Sequence, residues 1–177
     1  MTSILAFSGS NSSVSINFKL VNFTASLLKN QHVKVLNMID FPFPMYSYDE
    51  EKNNGYDTSL STLKNLILNS DGILLAVNEH NGQPSAYFKN VIDWLSRLEI
   101  KFLADKKIFL MATSDGKRGA ISALELVAHL LPRFGGEIAA TFSLPSFAEN
   151  FEETKGIINK ELAAAHQKAL QLFLSKL

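Results

Sequence analysis

Short apolar runs alternate along the chain with longer segments in which apolar residues recur every three or four positions. The short runs are rich in Val, Ile, Leu and Phe, and this pattern predicts β-strands. We expect five of them, at Ile4–Ser8, His32–Asn37, Gly72–Asn78, Lys107–Thr113 and Glu137–Ser143. The third run is apolar at consecutive positions, which is typical of a strand covered on both faces of a parallel sheet.

The longer segments predict helices with one apolar stripe each. The stripes are Ile16, Leu20, Phe23 and Leu27; Leu60, Leu63 and Ile67; Phe88, Val91, Ile92 and Leu95; and Ile121, Leu124, Ala128 and Leu131. A fifth helix is predicted near Glu153–Leu177. Because crossovers between parallel strands are right-handed, the alternation predicts an α/β fold, a doubly wound five-stranded parallel sheet with helices on both faces. The pattern leaves open the strand order 2-1-3-4-5 and the order found in dinucleotide-binding sheets.

The composition narrows the ligand class. The 177 residues predict a single domain, 1–177, and the 17 basic and 17 acidic side chains balance. This balance argues against nucleic acid as a partner and favours small-molecule substrates. No apolar run reaches the ~20 residues of a membrane span, the N-terminus does not resemble a signal peptide, and cysteine is absent. We therefore expect a cytoplasmic protein with no membrane partner and no disulfide.

Three loops are expected to form the ligand site, because ligands bind beyond the carboxyl ends of the strands where the strand order reverses. They follow the first, third and fourth strands, at 9–15, 79–85 and 114–119, and are rich in Gly, Ser, Asn and Asp. The first loop lacks the Gly-x-Gly-x-x-Gly and Gly-Lys-Ser/Thr patterns. It suits a phosphate held by hydroxyl groups and by the N–H groups that begin a helix. The alternative is a polar turn in which Ser13 or Ser15 only caps that helix.

The same loops resemble those of a known family. Asn78-Glu79-His80-Asn81-Gly82, followed by Lys89-Asn90-Val91-Ile92-Asp93-Trp94-Leu95-Ser96-Arg97, is similar to a signature of the NADPH-dependent FMN reductase family. Gly9-Ser10-x-Ser12-x-x-Ser15-x-Asn17 resembles that family's first loop, and 113–119 resembles its glycine-rich loop after strand four. These matches span residues 5 to 119 in the family's order and spacing.

The resemblance implies a flavodoxin-like fold with strand order 2-1-3-4-5 that binds FMN. It implies that NADPH or NADH passes hydride to the flavin, and that a quinone, azo compound, free flavin or metal oxyanion then takes the electrons. It also implies a homodimer or homotetramer. The cofactor-binding residues expected from it are Ser10, Ser12, Ser15, Ile16, Asn17, Asn78, Glu79, His80, Asn81, Gly82, Ser114 and Gly116.

Three positions depart from the family's pattern. Ser12 stands where members usually have Arg, so one charge-assisted phosphate contact is missing unless another cation, Lys117 or Arg118, replaces it. Asn78 replaces the usual Pro, and His80 replaces the usual Tyr. We expect FMN to be retained at reduced affinity; if it binds weakly, it acts as a diffusing substrate.

No catalytic residue is assigned, since the flavin carries the chemistry. His80 is a candidate proton donor to a reduced quinone, and its alternative role is to shape the loop. Glu79 is expected to fix its loop by pairing with Arg97 or Lys89, and Asp93 is expected to pair with Arg97. The histidines lack the spacing of metal ligands, so no metal site is predicted.

Two observations concern assembly. Tyr87, Val91, Trp94 and Leu98 form a second apolar row on the third predicted helix, which favours a homodimer unless the helix is simply well buried. The long connection Met38–Asp57 carries Phe41, Phe43, Tyr46 and Tyr48, which could line a flavin site across a dimer or anchor the connection to its own core.

The rival functions are an electron-carrying flavodoxin and a non-catalytic flavin-binding sensor. A carrier that docks on basic partners needs an acidic surface, and this chain has no net charge. A hydrolase is disfavoured because Ser8-Gly9-Ser10 does not form a Gly-x-Ser-x-Gly elbow.

Overall fold

A computed structural model describes residues 2–177 of the chain. Its strands are β1 (Ser3–Ser8), β2 (His32–Leu36), β3 (Gly72–Val77), β4 (Glu79–His80), β5 (Gln83–Pro84), β6 (Lys107–Thr113), β7 (Glu137–Leu144), β8 (Phe151–Glu152) and β9 (Gly156–Ile157). Its α-helices are α1 (Ile16–Ser26), α2 (Tyr48–Asn54), α3 (Thr58–Leu68), α4 (Ala86–Leu98), α5 (Ile121–Leu130), α6 (Phe147–Asn150) and α7 (Lys160–Leu174). Two 3-10 turns occur at Met38–Asp40 and Leu131–Phe134.

Five strands form one parallel sheet in the order β2-β1-β3-β6-β7. Counted along the chain, these five strands have the order 2-1-3-4-5, which confirms the flavodoxin-like topology and excludes the dinucleotide-binding order. The order reverses between β1 and β3, where Ser8 is paired with Ala76. The loops that follow these two strands therefore begin side by side, at the point where such sheets bind ligands.

Each face of the sheet is covered by helices. Leu5 and Phe7 of β1 point into one core layer, and Ile4 and Ala6 point into the other, as the two-residue period of a strand requires. The first layer is closed by α3, α4 and α5, and the second by α1 and α7. This arrangement places the N-terminal end of α1 directly beyond β1.

The connection of residues 38–57 lies against α4 of the same chain. The Trp94 indole N–H donates to the Pro44 carbonyl oxygen at 2.8 Å. The Tyr87 hydroxyl donates to the Phe41 carbonyl oxygen at 2.8 Å. Phe41, Phe43 and Tyr46 pack on the core, whereas Tyr48 is exposed. Anchoring to the chain's own core is therefore the role that the structure assigns to the first three aromatic residues.

The second apolar row of α4 is covered within the chain. Val91 and Trp94 are each 2% exposed, and the Tyr46 ring packs edge-on against Trp94 with 5.1 Å between the ring centroids. The row alone therefore no longer argues for a partner chain, and the homodimer stays a prediction.

The last helix begins later than its predicted start at Glu153. Helix α7 begins at Lys160, where the Asn159 side chain caps it by accepting from the Glu161 and Leu162 N–H groups. The preceding residues form the hairpin of β8 and β9, which turns at residues 153–155 and continues at Gly156 with a φ of 76°. A Cβ atom at Gly156 would lie 1.9 Å from the Phe23 ring, so this position tolerates only glycine.

Candidate functional site

A cleft of about 340 Å³ opens at the carboxyl ends of β1, β3 and β6. Its volume lies at the lower end of the range for small-molecule sites, roughly 300–1,000 Å³. The residues that line it are Ser10, Ser12, Val14, Ser15, Ile16, Asn17, Asn78, Glu79, His80, Thr113, Ser114 and Asp115. Eight of them come from the three predicted loops, whereas Ile16 and Asn17 begin α1, Asn78 directly follows β3 and Thr113 ends β6.

Nine of the twelve expected cofactor-binding residues line this cleft, and the other three, Asn81, Gly82 and Gly116, do not. The sequence analysis missed Val14, Thr113 and Asp115. Val14 and Asp115 lie inside the predicted loops 9–15 and 114–119, so their positions in the sequence could have placed them in the cleft. Thr113 ends a predicted strand and begins the segment 113–119 that resembles the family's glycine-rich loop, and this motif was its signal.

The first loop presents three serine hydroxyls whose oxygen atoms already accept backbone hydrogen bonds. The Ser10 Oγ accepts from the Ser12 N–H at 3.3 Å, and the Ser12 Oγ accepts from the Val14 N–H at 3.4 Å. Ser15 caps α1, and its Oγ accepts from the Phe18 N–H at 3.1 Å. Each hydroxyl keeps its own proton and can donate it to a ligand. The capping role and the ligand-binding role of Ser15 are therefore compatible.

Asn17 joins the first loop to the third. Its side-chain Nδ2 donates to the Thr113 carbonyl oxygen, and its Oδ1 accepts from the Thr113 N–H, both at 3.0 Å. The residue is 2% exposed. Its amide acts first as a clamp between α1 and β6, which leaves one N–H of Nδ2 to donate elsewhere.

The second loop forms a tight hairpin. Strands β4 and β5 are antiparallel, and the turn between them is made by Asn81 and Gly82 at φ values of 53° and 75°. Two positive φ values in sequence are typical of the type I′ turn, for which Asn-Gly is the preferred pair. This turn fixes where the cleft residues at the start of the hairpin lie.

Glu79 fixes the hairpin to α5. Its carboxylate accepts a hydrogen bond from the Ala123 N–H at 3.0 Å, in the first turn of that helix. A carboxylate at a helix N-terminus is stabilised by the N–H groups and the helix dipole. Glu79 therefore has the predicted role of fixing its loop.

The partners predicted for Glu79 were wrong. Lys89 pairs with Asp93 at 2.6 Å, and Arg97 pairs with Glu51 at 2.8 Å. The predicted pair of Asp93 with Arg97 does not form either. Arg97 instead reaches the 38–57 connection and lowers the pKa of Glu51 to about 2 through a charge-assisted hydrogen bond.

Asn78 and His80 contact each other in the lining of the cleft. The Asn78 Nδ2 lies 3.2 Å from the His80 Nε2. The Asn78 Oδ1 is shielded from water, and it has no hydrogen-bond partner among residues 2–177. Both residues line the cleft, and both occupy positions at which the sequence departs from the family's pattern.

The third loop is held by the segment that follows β7. The Phe147 N–H donates to the Ser114 carbonyl oxygen, and the Ser146 N–H donates to the Gly116 carbonyl oxygen, both at 3.0 Å. Gly119 has a φ of 58°, and a Cβ there would lie 2.3 Å from the Ser143 Oγ. These contacts fix the backbone that carries Ser114 into the cleft.

The cleft lining contains two carboxylates, those of Glu79 and Asp115, and none of its residues is Lys or Arg. Two basic residues of α1 and of the third loop are engaged elsewhere, whereas Lys117 of the third loop makes no ion pair among residues 2–177 and does not line the cleft. Lys19 pairs with Glu153, and Arg118 donates to the Ser122 hydroxyl at 2.9 Å. An anionic ligand group would therefore be held by hydroxyls, backbone N–H groups and the dipole of α1.

Residues 2–177 contain no group of three or more potential ligands that could hold a metal ion. In the same range, no helix has the length and apolar character needed to cross a membrane.

Comparison with known proteins identifies the family. A model of the family described as NADPH-dependent FMN reductase matches residues 2–150. The chain belongs to this family. The match includes all three loops of the cleft and confirms the resemblance of their motifs.

Relatives of this NADPH-dependent FMN reductase family member include reductases of small molecules. A NADPH:quinone oxidoreductase of Arabidopsis thaliana is 32% identical over 125 residues, which are 70% of this chain and 63% of the relative. A quinone reductase of Escherichia coli K12 is 33% identical over 76 residues, 43% of this chain and 40% of the relative. The chain thus spans less than two thirds of the length of these relatives.

Solved structures of similar fold cover nearly the whole chain. An NAD(P)H:(acceptor) oxidoreductase of Paracoccus denitrificans superposes with a TM-score of 0.80 at 23% identity, covering 99% of this chain and 96% of that one. The apo form of an NADH:FMN oxidoreductase gives a TM-score of 0.77 at 20% identity, covering 99% and 90%. At these identities the likeness concerns the fold of the family member.

Proposed function

We propose that this chain binds FMN in the three-loop cleft and passes hydride from NADPH or NADH to a small acceptor. The observation that carries the proposal is the first loop, where three serine hydroxyls with free protons surround the N-terminal end of α1. A phosphate at this end meets hydroxyl donors and unpaired backbone N–H groups together. Membership of the NADPH-dependent FMN reductase family supplies the identity of the ligand.

The residues of the cleft fit FMN. The hydroxyls of Ser10, Ser12 and Ser15 would hold the phosphate, and Asn17 keeps this loop against the third loop. The hairpin 79–84 would flank the isoalloxazine ring, and Ser114 would approach it from β6. Asn78 adds an acceptor that lacks a donor within the protein, as a ligand site requires.

Bound FMN would supply the redox chemistry, accepting hydride from the nicotinamide and releasing electrons to the second substrate. The protein would hold the flavin in position and keep water away from part of it. Glu79 holds the hairpin on α5, and the loop 114–119 is fixed by the segment after β7. Held in this way, the cleft would keep a bound flavin in place and would exclude water from the part of it that the loops cover. His80 is exposed at the rim, where it could shape the loop or pass a proton to a reduced quinone.

We propose small molecules as acceptors, of the quinone, azo, flavin or metal oxyanion classes. The names of the relatives support the first of these, since two of them are quinone reductases by name. An azoreductase relative, the NADPH azoreductase of Bacillus sp. strain OY1-2, supports the second.

Assembly as a homodimer or homotetramer remains part of the proposal. The covered apolar row of α4 no longer supports it, and the support that remains is the exposure of two large side chains. Met45 and Tyr48, on the connection that covers α4, are 68% and 67% exposed. Large apolar side chains at this exposure on one segment favour contact with another copy. A monomeric mass in light scattering would count against this assembly. The cytoplasm remains the proposed location, on the basis of a sequence without cysteine.

Comparing FMN with riboflavin tests the placement of the phosphate. Flavin fluorescence is titrated with the purified protein, first for FMN and then for riboflavin, which lacks the phosphate. FMN should bind more tightly, because only its phosphate reaches the N-terminal end of α1. Equal affinities for FMN and riboflavin would contradict the placement of the FMN phosphate at this loop.

A further inference from the structure

Asn78 carries a polar atom that the protein leaves without a partner. The residue directly follows β3, the strand next to the point where the sheet order reverses. Its Nδ2 faces the His80 Nε2 at 3.2 Å, and its Oδ1 is shielded from water without a donor among the described residues.

An acceptor in this state is costly for the free protein. A buried polar group without a hydrogen bond destabilises the folded state, and native proteins satisfy nearly all such groups. An apolar side chain at this position would avoid the cost. The unpaired oxygen is explained if a ligand supplies the missing donor, and Asn78 lines the cleft in which we place FMN.

We propose that the Asn78 side-chain amide is a flavin-binding group, whose Oδ1 accepts a hydrogen bond from a donor of the bound flavin. The inference rests on the proposed function and adds a specificity-determining residue to it. FMN offers two kinds of donor, the hydroxyls of its ribityl chain and the imide N–H of its ring.

His80 acts as a positioning residue for this amide. Its Nε2 is the hydrogen-bond partner of the Asn78 side chain, and the hairpin turn at Asn81 and Gly82 fixes the backbone that carries it. Holding one end of the amide reduces the conformational freedom that Asn78 would lose on binding.

Asn78→Leu tests the proposal with a side chain of similar size and no polar group. FMN affinity, measured by quenching of flavin fluorescence, should fall roughly tenfold, as expected for one lost hydrogen bond. The thermal midpoint of the flavin-free variant should equal or exceed that of the wild type, because the unpaired oxygen is gone. Asn22→Leu, on the exposed face of α1 outside the cleft, serves as the control and should leave FMN affinity unchanged.

The outcomes separate this inference from the proposed function. A wild-type protein that does not bind FMN contradicts the function itself. A wild type that binds FMN, with Asn78→Leu binding equally well, overturns only the role of Asn78. If Asn78→Leu does not fold, Asn78→Ala takes its place with the same expected loss and the same contradicting result.

FMN methylated at the imide nitrogen distinguishes the two donors. If the imide N–H is the donor, wild type and Asn78→Leu should bind the methylated flavin with equal affinity. If a ribityl hydroxyl is the donor, the tenfold difference between the two proteins should persist. Tighter binding of FMN or of methylated FMN by Asn78→Leu than by the wild type would contradict the proposal.

A double-mutant cycle tests the positioning role. His80→Phe should weaken FMN binding in the wild type and have no effect in the Asn78→Leu background, because His80 acts through Asn78. Equal losses in both backgrounds would show that His80 acts independently of the amide.

Discussion

Ser12 is the residue at which the cleft departs most from its family's pattern for holding a phosphate. Its hydroxyl oxygen accepts the Val14 N–H, and its proton is left for a ligand. The cleft lining contains Glu79 and Asp115 but no Lys or Arg. A cation at the position of this hydroxyl would offset the negative charges of these two carboxylates.

Ser12→Arg should therefore tighten FMN binding by roughly tenfold, the gain expected from one charge-assisted hydrogen bond. Titrations of FMN into both proteins measure the change, and the gain should shrink as salt is added. Ser13→Arg is the matched control, since the neighbouring Ser13 is exposed and does not line the cleft. An unchanged affinity in Ser12→Arg, or an equal gain in Ser13→Arg, would contradict the assignment.

Asn17 combines binding and stability in one side chain. Asn17→Ala removes both hydrogen bonds from the Asn17 side chain to the Thr113 backbone. The buried N–H and carbonyl groups of Thr113 then lose these partners. The free energy of unfolding should fall by about 3 kcal/mol, measured by urea denaturation. Asn22→Ala, exposed on the same helix, should change it by less than about 0.5 kcal/mol. Similar losses in the two variants would rule out the clamp.

The residues of the cleft differ in how far the sequence could predict them. Ser10, Ser12 and Ser15 were predicted because hydroxyls before a helix have a local physical meaning. The contact between Asn17 and Thr113 joins residues 96 positions apart, and no local pattern contains it. The partner of Glu79 was missed for the same reason, since Ala123 approaches only once α5 packs beside β3.

At the scale of elements, His166 joins α7 to α1. Its Nε2 lies 2.9 Å from the Thr24 Oγ1, and the rings of Phe23, Phe109 and Phe142 surround it. Burial among these rings lowers the pKa of His166 from 6.5 to about 4, because the charged imidazolium would lose its hydration.

This pKa shift makes the packing of the two helices sensitive to acid. Between pH 6.5 and pH 4 the unfolded chain binds a proton at this histidine and the folded protein does not. Stability is therefore complete above pH 6.5 and falls as the pH decreases, by roughly 3 kcal/mol over the whole window.

Urea denaturation across this window should show a shallower loss of stability for His166→Gln than for the wild type. His32→Gln, an exposed histidine at the start of β2, should keep the slope of the wild type. An unchanged slope in His166→Gln would mean that His166 does not titrate as a buried group.

The elements themselves were predictable where burial dictates the pattern. The bounds of the five long strands were correct to within one residue, and the three central strands β1, β3 and β6 are the apolar runs buried inside the sheet. Helix α2 was missed, since none of its residues is buried and its sequence carries no apolar stripe. The hairpin of β8 and β9 was read as part of the last helix because strands of two residues are too short to show a period.

At the scale of the whole molecule, the alternation of strands and helices fixed the class of fold but not the strand order. The order followed from the motifs of three loops that meet only in the folded chain, and the sheet confirms it. The second apolar row of α4 was the feature that the sequence could not resolve. Its cover comes from residues 38–57, whose path along α4 depends on contacts such as Pro44 with Trp94.

The central claim is that the cleft makes this molecule a reductase rather than a passive flavin binder. Its most direct test is anaerobic addition of NADPH, and separately NADH, to the protein loaded with FMN, while the absorbance of oxidised flavin is recorded. At least one nicotinamide should bleach the flavin rapidly, and a quinone added afterwards should restore the absorbance. Flavin that stays oxidised with both nicotinamides would contradict the claim and favour an electron carrier or a flavin-binding sensor.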